Sequence, residues 1–171
     1  PTALAVLAVV GLSLLIPEDF RVSQDLGLGY AVVLLLLLLV LIVGDPGRID
    51  REKRWLRVVT GVMIALITLS TMLAVVRLVL GILDKADFAT PGQLLAIGGV
   101  VWISNVIAFS LWYWHLDSGG PAARANGTST GLPAFQFPEE GIPALVDDGW
   151  YPQYVDYLAL SFNASTAFSP S

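Results

Sequence analysis

Residues 26–43 of the chain read LGLGYAVVLLLLLLVLIV and carry no charged side chain. About 20 apolar residues, at a rise of 1.5 Å each, cross a hydrocarbon layer of about 30 Å, so this stretch has the length and polarity of a transmembrane helix. Its leucine run at 34–39 has no polar face, which predicts contact with lipid. The residues at 44–47, GDPG, then favour a turn that ends the helix.

Three further segments, at about residues 2–16, 58–83 and 92–116, have the same apolar character. Together with 26–43 they predict an all-α fold, an integral membrane bundle of four helices that fills residues 1–116. The first segment is short for a full crossing and is closed by Pro17, so we interpret it as a truncated or tilted span.

The composition supports a membrane protein and excludes several kinds of chemistry. Of the 171 residues, 56% are hydrophobic and 13% charged, whereas soluble domains carry about 25% charged residues. The chain has no cysteine and one histidine, His115, so thiolate chemistry and a two-histidine metal site are excluded. A net charge of −5 argues against nucleic-acid binding. We therefore expect a non-enzymatic protein that needs no cofactor or metal.

The part of the chain after residue 116 has a different character. Residues 117–149 are polar and acidic, and we interpret them as a loop. In the segment 150–171, spacing places four apolar side chains on one helical face. They are Tyr151, Val155, Leu158 and Phe162. A helix of about 14 residues is too short to cross the bilayer, so it is expected to be re-entrant or to lie at the interface.

Charge predicts the orientation. Five of the nine Lys and Arg residues lie between the second and third apolar segments: Arg48, Arg51, Lys53, Arg54 and Arg57. The positive-inside rule places them in the cytoplasm, so four spans leave both termini cytoplasmic. The four arginines fall at every third position, as in a voltage-sensing helix, but charged residues stand between them. A basic segment at the membrane surface, attracted to anionic lipid by about 1 kcal/mol per residue, is the better interpretation.

The fourth segment is the most polar of the four, and we expect it to pack against another helix or a partner. Gly98 and Gly99 allow close approach of helices, and Ser104 and Asn105 can hydrogen-bond across a contact. A lined pathway along the same residues is the alternative. In the third segment, Arg77 lies seven residues before Asp84, so snorkelling of its side chain to the interface is expected.

Four stretches in the last third of the chain carry a family resemblance. They are WYPQYVDYLALSF at 150–162 with STAFSP at 165–170, WYWHLD at 112–117, GGP at 119–121, and FQFP at 135–138. With them the chain resembles an uncharacterised family of bacterial multi-pass membrane proteins over residues 100–171. The resemblance implies a protein of the inner (plasma) membrane, and a chain that continues after Pro170 into a further span.

The segment at 150–171 is also similar to the pore helix and filter of tetrameric cation channels. An aromatic half-helix is followed by the candidate pore-loop residues Ser165, Thr166, Phe168 and Ser169. The segment lacks the glycines of a potassium filter, and charge predicts that it enters from the cytoplasm. Two functions therefore stay open. One is an accessory or scaffold subunit that contacts lipid and other membrane subunits. The other is a self-associating, channel-like protein.

Overall fold

The computed structural model describes residues 2–15, 24–44, 54–83, 90–128, 132–138 and 150–166. Most of these residues are helical. The helices are α1 (Thr2–Leu15), α2 (Gln24–Gly44), α3 (Arg54–Leu83), α4 (Pro91–Leu116), α5 (Pro121–Ala125) and α6 (Tyr154–Ser165), with a 3-10 turn at Asp117–Gly119. The described ranges contain no strand, which confirms the all-α class.

The first four helices pack in chain order around one apolar core. α1 contacts α2, α2 contacts α3 and α3 contacts α4, while α1 also contacts α4 and closes the cycle. Each helix contributes fully buried side chains to this core, among them Val6, Leu34, Ile64 and Leu111. Short connections between long apolar helices favour such antiparallel neighbours.

The leucine run of α2 is divided between the core and the outer surface. Leu34 is 0% exposed and Leu38 is 6% exposed, whereas Leu36 and Leu39 are 56% and 55% exposed. The buried pair is spaced four residues apart, which is one helical turn. The outer surface of α3 is equally apolar, so this bundle has hydrophobic side chains on both its inside and its outside.

Two helices of the described part are long and apolar enough to cross a membrane. They cover Trp55–Leu83 and Pro91–Gly119, each 29 residues long. α1 and the Gly29–Gly44 part of α2 are apolar but shorter.

The four hydroxyl groups of α3 are hydrogen-bonded to their own helix or to a neighbour. In α3, Thr60 donates to the Leu56 carbonyl and Thr71 to the Ile67 carbonyl, both at 2.9 Å. Between helices, the Trp112 indole of α4 donates to Thr68 of α3 at 2.8 Å. Hydroxyls that bond back to a carbonyl one turn earlier expose little polarity, so an apolar surrounding tolerates them.

α6 lies antiparallel along α4. Its first residue, Tyr154, is hydrogen-bonded to Ser110 at 2.8 Å between the two hydroxyl oxygens, and farther along Ser161 donates to the Val106 carbonyl at 2.7 Å. Near its end, the Phe162 ring meets the Trp102 ring edge to face, with centroids 5.5 Å apart. Contacts therefore move toward the start of α4 as α6 proceeds.

The face of α6 that packs on α4 is not the apolar face recognised in the sequence. Tyr157 and Ser161 are 0% and 2% exposed, and they lie on the packed side with Tyr154. Val155 is 64% exposed, and Phe162, at 44%, lies at the edge of the packed side, where it meets Trp102. Tyr154 and Ser161 face inward because each has a hydrogen-bond partner on α4, and Tyr157 does so because its partner is Asp117, directly after α4.

Candidate functional site at the end of the fourth helix

The chain makes a tight left-handed turn directly after α4. Ser118, Gly119 and Gly120 have φ angles of 51°, 83° and 96°. A Cβ atom at Gly120 would stand 3.2 Å from the His115 carbonyl oxygen, which is tighter than an ordinary contact. Two glycines are needed here because left-handed backbone and close approach both disfavour a side chain. The turn leads into Pro121, which begins α5.

Arg124 of α5 reaches back and binds the last carbonyls of α4. Its Nη1 donates to the Asp117 carbonyl at 2.5 Å, and its Nη2 donates to the Trp114 carbonyl at 2.8 Å. The final carbonyls of a helix have no partner within the helix, and a cation near them is favoured by the helix dipole. Arg124 therefore caps α4, although the side chain is only 7% exposed.

The Arg124 guanidinium lies between two aromatic rings. Its Cζ atom is 4.5 Å from the Trp114 ring centroid and 4.9 Å from the Tyr157 ring centroid. Burial lowers the pKa of Arg124, while Tyr157 and the Asp117 carboxylate oppose that shift. Arginine stays protonated in proteins, so the buried positive charge is held by two ring faces and two carbonyls.

The Asp117 carboxylate is 1% exposed and joins three segments of the chain. Its Oδ2 accepts a 2.5 Å hydrogen bond from the Tyr157 hydroxyl of α6. Its Oδ1 accepts a 2.8 Å hydrogen bond from the Ala134 amide of the segment 132–138. A buried carboxylate with two donors and a nearby guanidinium avoids the large cost of an isolated buried charge. We call Asp117, Arg124 and Tyr157 the polar node.

Aromatic rings enclose the polar node. Phe137 packs against Tyr157 with ring centroids 5.2 Å apart, and Trp114 packs against Tyr157 at 5.6 Å, both near edge to face. The ring centroids of Phe135 and Tyr113 are 4.9 Å apart. These rings exclude water from the node, and edge-to-face pairs add to the stability gained by burial. The region predicted as a polar loop thus begins with a folded cap on α4.

A second arginine reaches the same turn from α3. The Arg57 guanidinium donates a hydrogen bond to the Gly119 carbonyl through Nη2. Arg57 belongs to the predicted membrane-surface segment. The Arg54 backbone is in the first turn of α3, whereas Arg48, Arg51 and Lys53 lie outside the described residues.

The candidate pore-loop residues lie at the end of α6 or beyond it. The hydroxyls of Ser165 and Thr166 both donate to the Phe162 carbonyl at 2.9 Å, so they close the last turn of the helix. Phe168 and Ser169 lie outside the described residues.

The predicted packing residues of α4 divide into a buried and an open group. Ser104 is 9% exposed and lies among the other helices. No described atom stands within 4 Å of a Cβ atom placed at Gly98 or Gly99, so the close helix approach expected there is not made within the described chain. Asn105 is half-buried, and no hydrogen bond joins its side chain to another described residue.

The sequence does not predict the polar node. Asp117 and Tyr157 occur in stretches that carry the family resemblance, but no local pattern joins them to each other or to Arg124, and Tyr157 is not on the recognised face of α6. One usable signal was present, since GGP at 119–121 forces a reversal that returns the following residues to the end of α4.

Among the described residues, no group of three or more His, Asp or Glu side chains is arranged to hold a metal ion. Comparison of the chain with protein-family models, curated proteins and solved structures gave no match.

Proposed function

We propose that the chain is a four-span, non-enzymatic protein of the inner membrane that acts as an accessory or scaffold subunit in a membrane assembly. The observation that carries this proposal is an open face of α4 with an amide at its centre. The face consists of Gly98, Trp102, Asn105 and Phe109, and we call it the Asn105 face; at its border with α6, Trp102 also contacts Phe162.

The membrane placement is supported by the distribution of polarity. Large apolar side chains are exposed along the outer surfaces of α2, α3 and α4, for example Leu36, Leu69 and Leu95. In α3, hydroxyls are bonded to backbone carbonyls or to a neighbouring hydroxyl, as with Ser70 and Tyr30 at 2.8 Å. A surface of this kind is unfavourable in water and suited to lipid, and the family resemblance of residues 100–171 favours the same placement.

The Asn105 face supports assembly because its glycine meets no neighbour, and its amide has no hydrogen-bond partner, within the described chain. Gly98, Trp102, Asn105 and Phe109 follow one another at spacings of four, three and four, which forms a stripe along a helix. An amide left without a partner in an apolar medium loses several kcal/mol, so a polar group of another subunit is expected opposite Asn105. The open glycine at 98 leaves room for a second helix to approach.

A crosslinking experiment in native membranes tests this proposal. A photo-crosslinking residue at position 105 should join the chain to an unlike polypeptide, while the same residue at Leu36 should react with lipid only. A crosslinked pair of two copies of this chain would favour the self-associating alternative. Absence of any protein product at position 105 would contradict assembly through this face.

Orientation is tested separately. We propose that the basic segment is cytoplasmic, so single cysteines at Arg51 and Asp87 should label from opposite sides of the membrane. Labelling from the same side would contradict the proposed topology, whatever the crosslinking result.

The channel-like alternative is favoured by the course of α6. The end of α6 lies beside Trp102, which is about 21 Å along α4 from Leu116, so this end reaches well below the membrane surface if α4 spans. The negative end of the α6 dipole, at Thr166, would then lie within the bilayer, where it favours a cation.

Accessibility distinguishes a re-entrant α6 from one at the interface. A cysteine at Thr166 should react with a water-soluble reagent far more slowly than one at Gly127, which is exposed. Equal rates would exclude the re-entrant position and with it the channel-like alternative. Protection that is lost when the assembly dissociates would identify the segment as an interface or a pore element.

A further inference from the structure

A cavity of about 300 Å³ opens where α2 ends, α3 begins and α4 ends. The first residues of α1 and the turn after α4 complete its lining. The residues that decide its chemistry are Leu38, Ile42, Arg57, Thr60, Leu111 and His115.

The lining has an apolar and a polar part. Leu38, Ile42 and Leu111 form a hydrocarbon wall, whereas Arg57, Thr60 and His115 form the polar side. Among the described residues that line the cavity there is no Asp or Glu. These described residues offer a guanidinium, a hydroxyl, an imidazole and an apolar wall, which suit a ligand that is anionic at one end and hydrocarbon at the other.

The start of α3 adds to the positive potential. A helix N-terminus carries a partial positive charge, and acidic residues in the first turn usually compensate for it. The first turn of α3 contains no acidic residue, and Arg57 lies three residues after the helix begins at Arg54. Because Arg57 also donates to the Gly119 carbonyl, its guanidinium is held at the rim by the turn that caps α4. The cavity therefore presents a fixed positive group to an anion.

We propose that this cavity binds the phosphate head group of an anionic phospholipid, with the first methylenes of its acyl chains against Leu38, Ile42 and Leu111. A volume of about 300 Å³ is at the lower end of ligand pockets, so the rest of the chains lies outside it on the apolar surface. The inference rests on the membrane placement proposed above. The positive-inside orientation puts the site in the cytoplasmic leaflet.

Lipid retention by the full chain, measured by native mass spectrometry, tests the proposal. The protein is released from nanodiscs of phosphatidylcholine mixed with phosphatidylglycerol, and the bound lipids are counted. The unchanged chain should retain phosphatidylglycerol in preference to phosphatidylcholine. Arg57→Gln should weaken that retention about tenfold, since it removes a charge-assisted contact. Arg77→Gln, the same change at the far end of the same helix, should leave it unaltered.

A second variant pair fills the cavity without changing charge. Ala3 lines the cavity and Ala8 is exposed on the same helix. Ala3→Leu should reduce retention and Ala8→Leu should not, so the result does not depend on the Arg57 to Gly119 bond. Equal retention by Arg57→Gln and Arg77→Gln, or by both alanine variants, would overturn the site.

Inorganic phosphate distinguishes the source of the anion. If phosphate alone raises the melting temperature of the detergent-solubilised chain as much as short-chain phosphatidylglycerol does, the site binds free phosphate and the lipid proposal is wrong. Opposite-side labelling at Arg51 and Asp87 together with no lipid preference would refute only this inference. Same-side labelling would refute the membrane topology instead.

Discussion

Two sides of α4 differ in how much of their surface the chain itself covers. One side is covered by α6 and bonded to it through Ser110, and Arg124 caps the end of the helix. The other side carries Gly98, which meets open space, and Asn105, which has no hydrogen-bond partner among the described residues. Trp102 lies at the border, where its ring contacts Phe162 of α6. The same helix is therefore covered on one side and open on the other.

Polar groups within this apolar helix therefore occur in two settings. Toward α6, they are satisfied within the chain, which fixes the position of α6. On the Asn105 face, the amide has no hydrogen-bond partner among the described residues. Substitutions on the first side are expected to change the stability of the chain, and substitutions on the second side are expected to change its association.

The largest effect is expected for Arg124→Ala. The change removes two hydrogen bonds to buried backbone carbonyls and two cation–π contacts. A hydrogen bond to a charged group contributes about 1.5 to 3 kcal/mol, so loss of both should lower the free energy of unfolding by about 3 kcal/mol or more. Equilibrium unfolding in mixed micelles measures it. Arg124→Lys keeps the charge but not the fork of donors, so its free energy of unfolding should lie between those of the unchanged chain and Arg124→Ala. If Arg124→Ala loses no more stability than a surface substitution, Arg124 does not cap α4.

A smaller loss in the free energy of unfolding is expected for Tyr157→Phe. The change removes the hydroxyl that donates to the buried Asp117 carboxylate, and a hydrogen bond to a charged group contributes about 1.5 to 3 kcal/mol. Tyr154→Phe on the same helix removes a bond between two neutral hydroxyls and should cost about 1 kcal/mol. Equal losses in the two variants, measured by the same unfolding experiment, would contradict a charged partner for Tyr157.

Two glycines should respond to alanine in opposite directions. Gly120 has a φ of 96°, and a Cβ atom there would stand 3.2 Å from the His115 carbonyl oxygen, so Gly120→Ala should lower the free energy of unfolding by about 1 kcal/mol or more. Nothing stands within 4 Å at Gly98, so Gly98→Ala should raise it by about 0.5 to 1 kcal/mol. Loss of stability in the isolated Gly98→Ala chain would mean that the Asn105 face is already covered.

The smallest change in stability is expected for Asn105→Leu. The isolated chain should keep its free energy of unfolding within about 0.5 kcal/mol, because the described chain offers the amide no hydrogen bond to lose. Association with the partner subunit should weaken by about 0.6 to 2 kcal/mol, the range for polar contacts between membrane helices. Fluorescence energy transfer in lipid bilayers measures association. A larger loss of stability than of association would place the partner of Asn105 within the chain.

Helix positions could be predicted from the sequence because they depend on composition along the chain alone. The four apolar segments and the short helix after Trp150 all contain helices in the structure, as long uncharged runs and proline positions indicated. The candidate site could not be predicted in the same way. Asp117, Arg124 and Tyr157 are separated by up to 40 residues, and nothing in their local pattern joins them.

By itself, the sequence determined that the chain is helical, strongly apolar and without thiolate chemistry, because each of these properties is a sum over single residues. Only the tertiary structure decided which leucines of α2 face the core, which side of α6 meets α4, and which charges are buried together. Those choices depend on whether a given group finds a partner, and a partner is fixed by the folded chain in space. Leu34 and Leu36 are the same residue type in the same run, yet one packs inside the bundle and the other faces outward.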